Sequence, residues 1–330
     1  QRDAWFSSKR CPDELASPQA IGIYAADRAL SRLHARKIPT TECPVLFEAP
    51  LAAGLLGTFV QATSGGALYR KSTFLLDSLG QQVFPQHLHI DEDPFVHRGK
   101  GSSPFDAKGV SVRARRVVDS GKVGGYFLSS YTARKLGMRT TGHAGGSHNL
   151  VLHSSLTRPG DDLPAMLQKL GTGLFVIELM GQGVNYVTGD YSRGVSGFWV
   201  ENGQIAFPVH EITIAGNMRD MFMGIEAVGA DAYTYGAKTT GSVLINRMMV
   251  DTVVEAPNGS HFTTNEPDYR RDEKFQRHYA EAAGSDQPRE HHHRQRKQDA
   301  LIEPHQQRGG RGRDLDLQEN APGGGTRGLP

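Results

Sequence analysis

The chain has 330 residues, a formal net charge of +2 at pH 7 and two cysteines, Cys11 and Cys43. That length allows one large domain or two smaller ones, and the near-neutral balance gives no ground for a nucleic-acid or membrane partner. Two cysteines are too few for a disulfide framework and suit a reducing cytoplasm, where the protein is expected.

The longest apolar run sits around LFVIELM, 174–180, too short to span a bilayer. No charged-then-apolar leader precedes it. The first residue is Gln1 rather than Met, which reads as a processed product or a fragment.

In chain order, Ser17-Pro18 opens a helix expected to run through Leu33, with Ser17 as its cap. PVLFE, 44–48, reads as a buried strand, and PLAAGLLGTFVQAT, 50–63, as a helix apolar on most faces. VSVRARRVV and VGGYFLSS flank Asp119-Ser120-Gly121-Lys122 and predict a hairpin. In RARR, 113–116, alternation puts Arg113 and Arg115 on a solvated face.

Residues 161–170 read as a helix. GLFVIELM and GFWVENGQIAFPV read as strands, the second divided by a turn at Asn202-Gly203. Asn217 caps a helix whose Met218, Met221, Phe222 and Ile225 recur at helical spacing, and GSVLINRMMV closes the body as a strand. Beyond it, seven of the 76 residues from Glu255 to Pro330 are Leu, Ile, Val or Phe. That is too few to offset chain entropy, so 255–330 is expected to be disordered. Strands outnumber helices and hairpins recur. The expected class is α+β, with a largely antiparallel, barrel-like sheet and packed helices.

Three clusters carry chemistry. His87, His89, Asp91 and Asp93 alternate and would share one strand face, with His97 following. They form either a metal site or a polar solvated edge. In GHAGGSHN, 142–149, His143 and His148 either line a pocket or hydrogen-bond to the backbone of a glycine loop. GDYSRGVSGFWVENG, 189–203, packs an acid, a phenol, a hydroxyl and a guanidinium between glycines, and suits an active site, a binding surface or a turn. His291–His293 would bind metal only adventitiously. GKGSSPF, 99–105, lacks phosphate-loop spacing, and the methionine-rich helix face reads as core.

Four long blocks then carry a resemblance: YRKSTFLLDSLGQQVFP (69–85), SYTARKLGMRTTGHAGGSHN (130–149), ELMGQGVNYVTGDYSRGVSGFWVENG (178–203) and PVHEITIAGNMRDMFMGI (208–225). In this order they resemble the PmbA/TldD family, most of all its PmbA (TldE) branch, older name modulator of DNA gyrase. The resemblance covers roughly 1–253. It implies that residues 1–43 end an N-terminal region whose α/β domain lies mostly upstream, that 44–254 is the C-terminal domain, and that 255–330 is a separate tail.

The family's TldD-type chains hold zinc on an H-E-x-x-x-H helix. Aligned by its trailing Arg-Lys, that helix falls here on Gly57-Thr58-Phe59-Val60-Gln61-Ala62. Gly57 and Ala62 offer no ligand, Thr58 cannot act as base, and no cysteine stands near 239–241. The resemblance implies no cofactor and no catalytic residue in this chain, and a cytosolic heterodimer or higher assembly with a TldD-type zinc subunit. Peptides or unfolded proteins would be the substrate. Asp190, Tyr191, Ser192 and Arg193 would form a substrate-channel or subunit-contact loop, with Asp190 and Arg193 close enough to pair, and His143 and His148 are further candidates. The alternative is a non-proteolytic binding protein of the gyrase-modulator kind. A self-sufficient metalloenzyme using the 87–97 histidines is disfavoured by the empty helix.

Overall fold

The computed structural model describes residues 1–255 and 261–263, with side chains up to Thr252. Ser17 Oγ accepts from Ala20 N at 3.1 Å and caps α1 (Pro18–Ser31). Pro18 sits in the first turn, where its missing N–H costs nothing. The helix ends at Ser31, short of the expected Leu33, and His34 then takes a positive φ of 61°. β1 (Thr41–Phe47) leads into α2 (Ala49–Ala62) and the short α3 (Gly65–Tyr69).

Next come β2 (Leu88–Asp93), β3 (Arg115–Asp119), β4 (Lys122–Val123), α4 (Ser130–Lys135), β5 (Asn149–Ser154), α5 (Leu163–Leu170) and β6 (Gly173–Met180). The long hairpin β7 (Asp190–Glu201) and β8 (Gln204–Asn217) follows. After it come α6 (Met218–Met223), β9 (Ile225–Val228), β10 (Tyr233–Tyr235), β11 (Lys238–Thr240), β12 (Val243–Glu255) and β13 (His261–Thr263).

Both predicted tight turns form as expected. Ser120 and Gly121 between β3 and β4, and Asn202 and Gly203 between β7 and β8, all have positive φ, from 48° to 76°. That is the backbone a two-residue turn between right-twisted strands demands. Asn217 accepts from Arg219 N at 3.0 Å and starts α6, but Gly224 ends it, so Ile225 opens β9 instead of extending the helix.

Two sheets result. In the first, β1, β6, β7, β8 and β12 each pair with the next, and β12 pairs back with β1, closing a five-stranded barrel to which β9 and β13 add. All its pairings are antiparallel except β1 with β6. The second sheet runs β10-β11-β5-β2-β3-β4. The fold is α+β and mostly antiparallel.

Val45–Phe47 of β1 and Gly173–Ile177 of β6 are buried on both faces, which is why PVLF and GLFVI read as continuous apolar runs. Leu46 packs with Phe175, Ile177 and α5, while Val45 and Phe47 face the larger core. That core centres on Phe59 of α2, whose ring lies 5.4 Å from Phe84 and 6.4 Å from both Phe127 and Phe222. Of the segment 255–330, only β13 and Glu255 fall among the described residues, and β13 is a strand paired with β12; the rest of that expectation, His291–His293 included, lies outside them.

Candidate functional site

GDYSRG is not a loop. Asp190, Tyr191, Ser192 and Arg193 open β7 and pair in register with Asn217, Gly216, Ala215 and Ile214 of β8. Asp190 and Arg193 form no ion pair, because residues three apart in a strand point to opposite faces. Asp190 instead accepts from Thr188 Oγ1 at 2.6 Å and Asn217 Nδ2 at 3.2 Å. Arg193 Nη2 donates to Gly181 O at 2.6 Å, while its Nε is buried without a partner. Tyr191 shares Arg193's face. Burial pushes its phenol up to about 12, partly opposed by the charge and hydrogen bond of Arg193. Ser192 is exposed.

The two histidines of the 142–149 segment do meet, 5.3 Å apart ring to ring, but around a residue the sequence did not single out. Glu92, 1% exposed, accepts from His143 Nε2 at 2.9 Å, Arg115 Nε at 2.7 Å and His148 N at 2.7 Å. Burial alone would push the Glu92 carboxyl up. The His143 hydrogen bond and the Arg115 and His143 charges overturn this and hold it at about 2. Arg115 Nη2 also lies 3.3 Å from His143 Nε2, yet that nitrogen already donates to Glu92, so the contact is no hydrogen bond.

His143 Nδ1 meets Thr141 Oγ1 at 2.9 Å, and His148 Nδ1 donates to Gly101 O at 3.0 Å. Asp106 accepts from Ala144 N and anchors the same loop. Both imidazoles are buried, 7% and 6% exposed, and satisfied by protein groups. Only His148 bonds to backbone, at Gly101 O; His143 is held by the side chains of Glu92 and Thr141. The signal of this network in the sequence was the acid on the apolar face of L-H-I-D-E, in phase with Leu88 and Ile90.

Arg115 is also a correction. The β2–β3 register slips by one between Ile90 and Asp91, so Val117 and Val118 both turn inward and Arg115 lands opposite Glu92. Such a bulge reverses the alternation that assigned Arg115 to solvent.

The outer face of β2 does carry His89, Asp91 and Asp93, each with its own partner. His89 Nδ1 meets Asp119 at 3.0 Å, Asp91 pairs with Arg116 and His153 at 2.8 Å each, and Asp93 accepts from Phe95 N. His87 Nδ1 meets Ser154 Oγ, and His97 is exposed in the following turn. Among the described residues, no three His, Cys, Asp or Glu side chains converge so as to hold a metal.

The α2 positions aligned with the zinc helix are equally plain. Thr58 Oγ1 donates to Gly54 O at 3.2 Å and Ala62 is fully buried. A Cβ at Gly57 would stand 3.7 Å from Lys238 Cε, so a cationic chain borders the first of these positions. This donor set does not fit zinc.

The profile described as the PmbA/TldA metallopeptidase C-terminal domain matches residues 40–252. The chain belongs to this family. It is 48% identical over 250 residues to the metalloprotease PmbA of Escherichia coli O157:H7, covering 76% of this chain and 55% of that one. The chain thus spans about half the length of the curated relatives it matches. A Thermotoga maritima structure named as a modulator of a DNA gyrase superposes with a TM-score of 0.67 at 32% identity, covering 73% of this chain and 57% of that one. TldE of Thermococcus kodakarensis shares the fold, with a TM-score of 0.60 at 20% identity over 70% of this chain and 55% of that one. A metal is thus implied for the PmbA/TldA family, although α2 of this member lacks the donors. No helix among its described residues is long and apolar enough to cross a membrane.

Proposed function

We propose that this chain is a PmbA-type, TldE-like subunit of a cytoplasmic metallopeptidase complex acting on peptides or unfolded proteins. A TldD-type partner supplies the zinc. The observation that carries the reading is the mismatch between family and donor set: a metallopeptidase-family chain whose α2 offers glycine, threonine and alanine where ligands and base would stand. Its own contribution is wall and assembly surface. The opening of β7 suits that part, because the half-buried Arg193 guanidinium, bonded to Gly181 O and Tyr191, carries further N–H groups for a peptide carbonyl or carboxylate.

The test is co-expression with a TldD-type chain bearing H-E-x-x-x-H, followed by gel filtration and β-casein digestion. Co-elution with cleavage that a zinc chelator abolishes, and that neither chain shows alone, supports the reading. Failure to co-elute, with no gain in cleavage, would favour the regulatory role suggested by the name of the Thermotoga relative.

A further inference from the structure

We infer that a methionine-lined cleft beside α6 binds an extended peptide by an apolar side chain flanked by a basic residue. This rests on the peptide-handling reading above. The cleft has a volume of about 530 Å³, within the range that small-ligand sites occupy.

Its origin is a break in the barrel ladder. β8 pairs with β12 up to Ala215 and Met249, then leaves as α6 and returns as β9, which meets β12 at Ile225 and Ile245. The splayed stretch between these two pairings is the cleft, and Gly216 faces its methionine floor. A Cβ there would stand 3.5 Å from Met221 Cγ and 3.8 Å from Met248 Cε.

Four of the eight methionines line this one cleft: Met221, Met223, Met248 and Met249. Core filling does not account for them all. Met221 and Met248 form a buried floor, each 2% exposed, but Met223 is 47% exposed and Met249 is half-buried. Thioethers are unbranched and polarizable, so they mould to apolar side chains of differing shape. That property suits a site that takes many peptides.

The rim adds a charge preference. Glu42 is already bonded to Arg247. The Asp220 carboxylate lines the cleft, is exposed and makes no hydrogen bond or ion pair among the described residues. It is the rim group left to meet a cation. The same wall reaches the opening of β7, because Asn217 lines the cleft and donates to Asp190 and to Thr188 O, both at 3.2 Å.

The test is methyl NMR of the full chain labelled at its methionine methyls, titrated with acetyl-Lys-Leu-Lys-amide. Met223 and Met249 signals should shift saturably while those of Met138 and Met166 stay. Acetyl-Lys-Gly-Lys-amide should bind roughly tenfold or more weakly, having no side chain to bury. Met223→Ser should weaken the leucine peptide about fivefold at unchanged melting temperature, because this side chain is exposed. Asp220→Asn should abolish the preference over acetyl-Glu-Leu-Glu-amide. No saturable shift at millimolar peptide, or equal binding of the glycine peptide, overturns the inference. Binding without any cleavage by a reconstituted complex leaves it standing and removes the metallopeptidase reading. Cleavage of leucine peptides indifferent to Met223→Ser, with no methyl shift, removes this inference alone.

Discussion

Glu92 and His143 are 51 positions apart in the sequence and 2.9 Å apart in the fold. With Arg115 and the His148 N–H they tie β2 to β3 and to the loop between α4 and β5, in a place closed to solvent. Both His143 and His148 thereby help hold a glycine loop in shape.

The network makes acid stability depend on Glu92. Its carboxyl sits at about 2 against an ordinary 4.5. A depressed carboxyl stabilises the fold above its ordinary value, and that contribution is lost as pH falls from 4.5 toward 2. It amounts to an order of magnitude of 3 kcal/mol. Glu92→Gln should lower stability by about 2–4 kcal/mol at pH 7 and flatten the loss below pH 4.5. Urea unfolding at several pH values reads both; an unchanged acid slope would place the titrating group elsewhere.

Arg193→Ala should cost little in stability, roughly 1–2 kcal/mol, because it removes the hydrogen bonds to Gly181 O and Tyr191 but also a buried unsatisfied Nε. If the guanidinium faces substrate, turnover by the reconstituted complex should drop at least about tenfold, the scale of a charged contact. Thermal melts alongside casein digestion separate the two; a melting loss without a turnover loss makes Arg193 structural.

Purified alone, with His291–His293 changed to alanine, the chain is expected to carry no stoichiometric zinc, since a protein zinc site needs three or four converging donors. Elemental analysis checks this. One zinc per chain that disappears in the His87→Ala, His89→Ala double variant would restore the self-sufficient reading.

Two glycines should respond oppositely to alanine. Gly54 lies within α2, and a Cβ added there would have nothing within 4 Å, so Gly54→Ala should stabilise by about 0.5–1 kcal/mol through helix propensity. Gly197 lies beside a register shift between β6 and β7, and a Cβ there would meet Phe175 O at 2.0 Å. Gly197→Ala should cost several times more, about 3 kcal/mol or above, because backbone must move. Melting curves of the two variants give the comparison directly.

Local chemistry was readable from the residues alone. Ser17, Asn202-Gly203 and Asn217 act through atoms a few positions away, so caps and turns follow from their own side chains and φ preferences. The four blocks 69–85, 130–149, 178–203 and 208–225 likewise pointed to the family, and the residue types at α2 positions 57, 58 and 62 show by themselves that no zinc ligand stands there. Tertiary structure decided the rest. Whether GDYSRG turns or extends depends on β8 lying beside it, and whether Asp190 meets Arg193 depends on strand alternation. Arg115 faces inward because one extra residue in β3 shifts its register against β2, and Glu92 gains its partners from loops far along the chain. Burial and pairing across such distances are set by how the sheets close, which no spacing within one segment records.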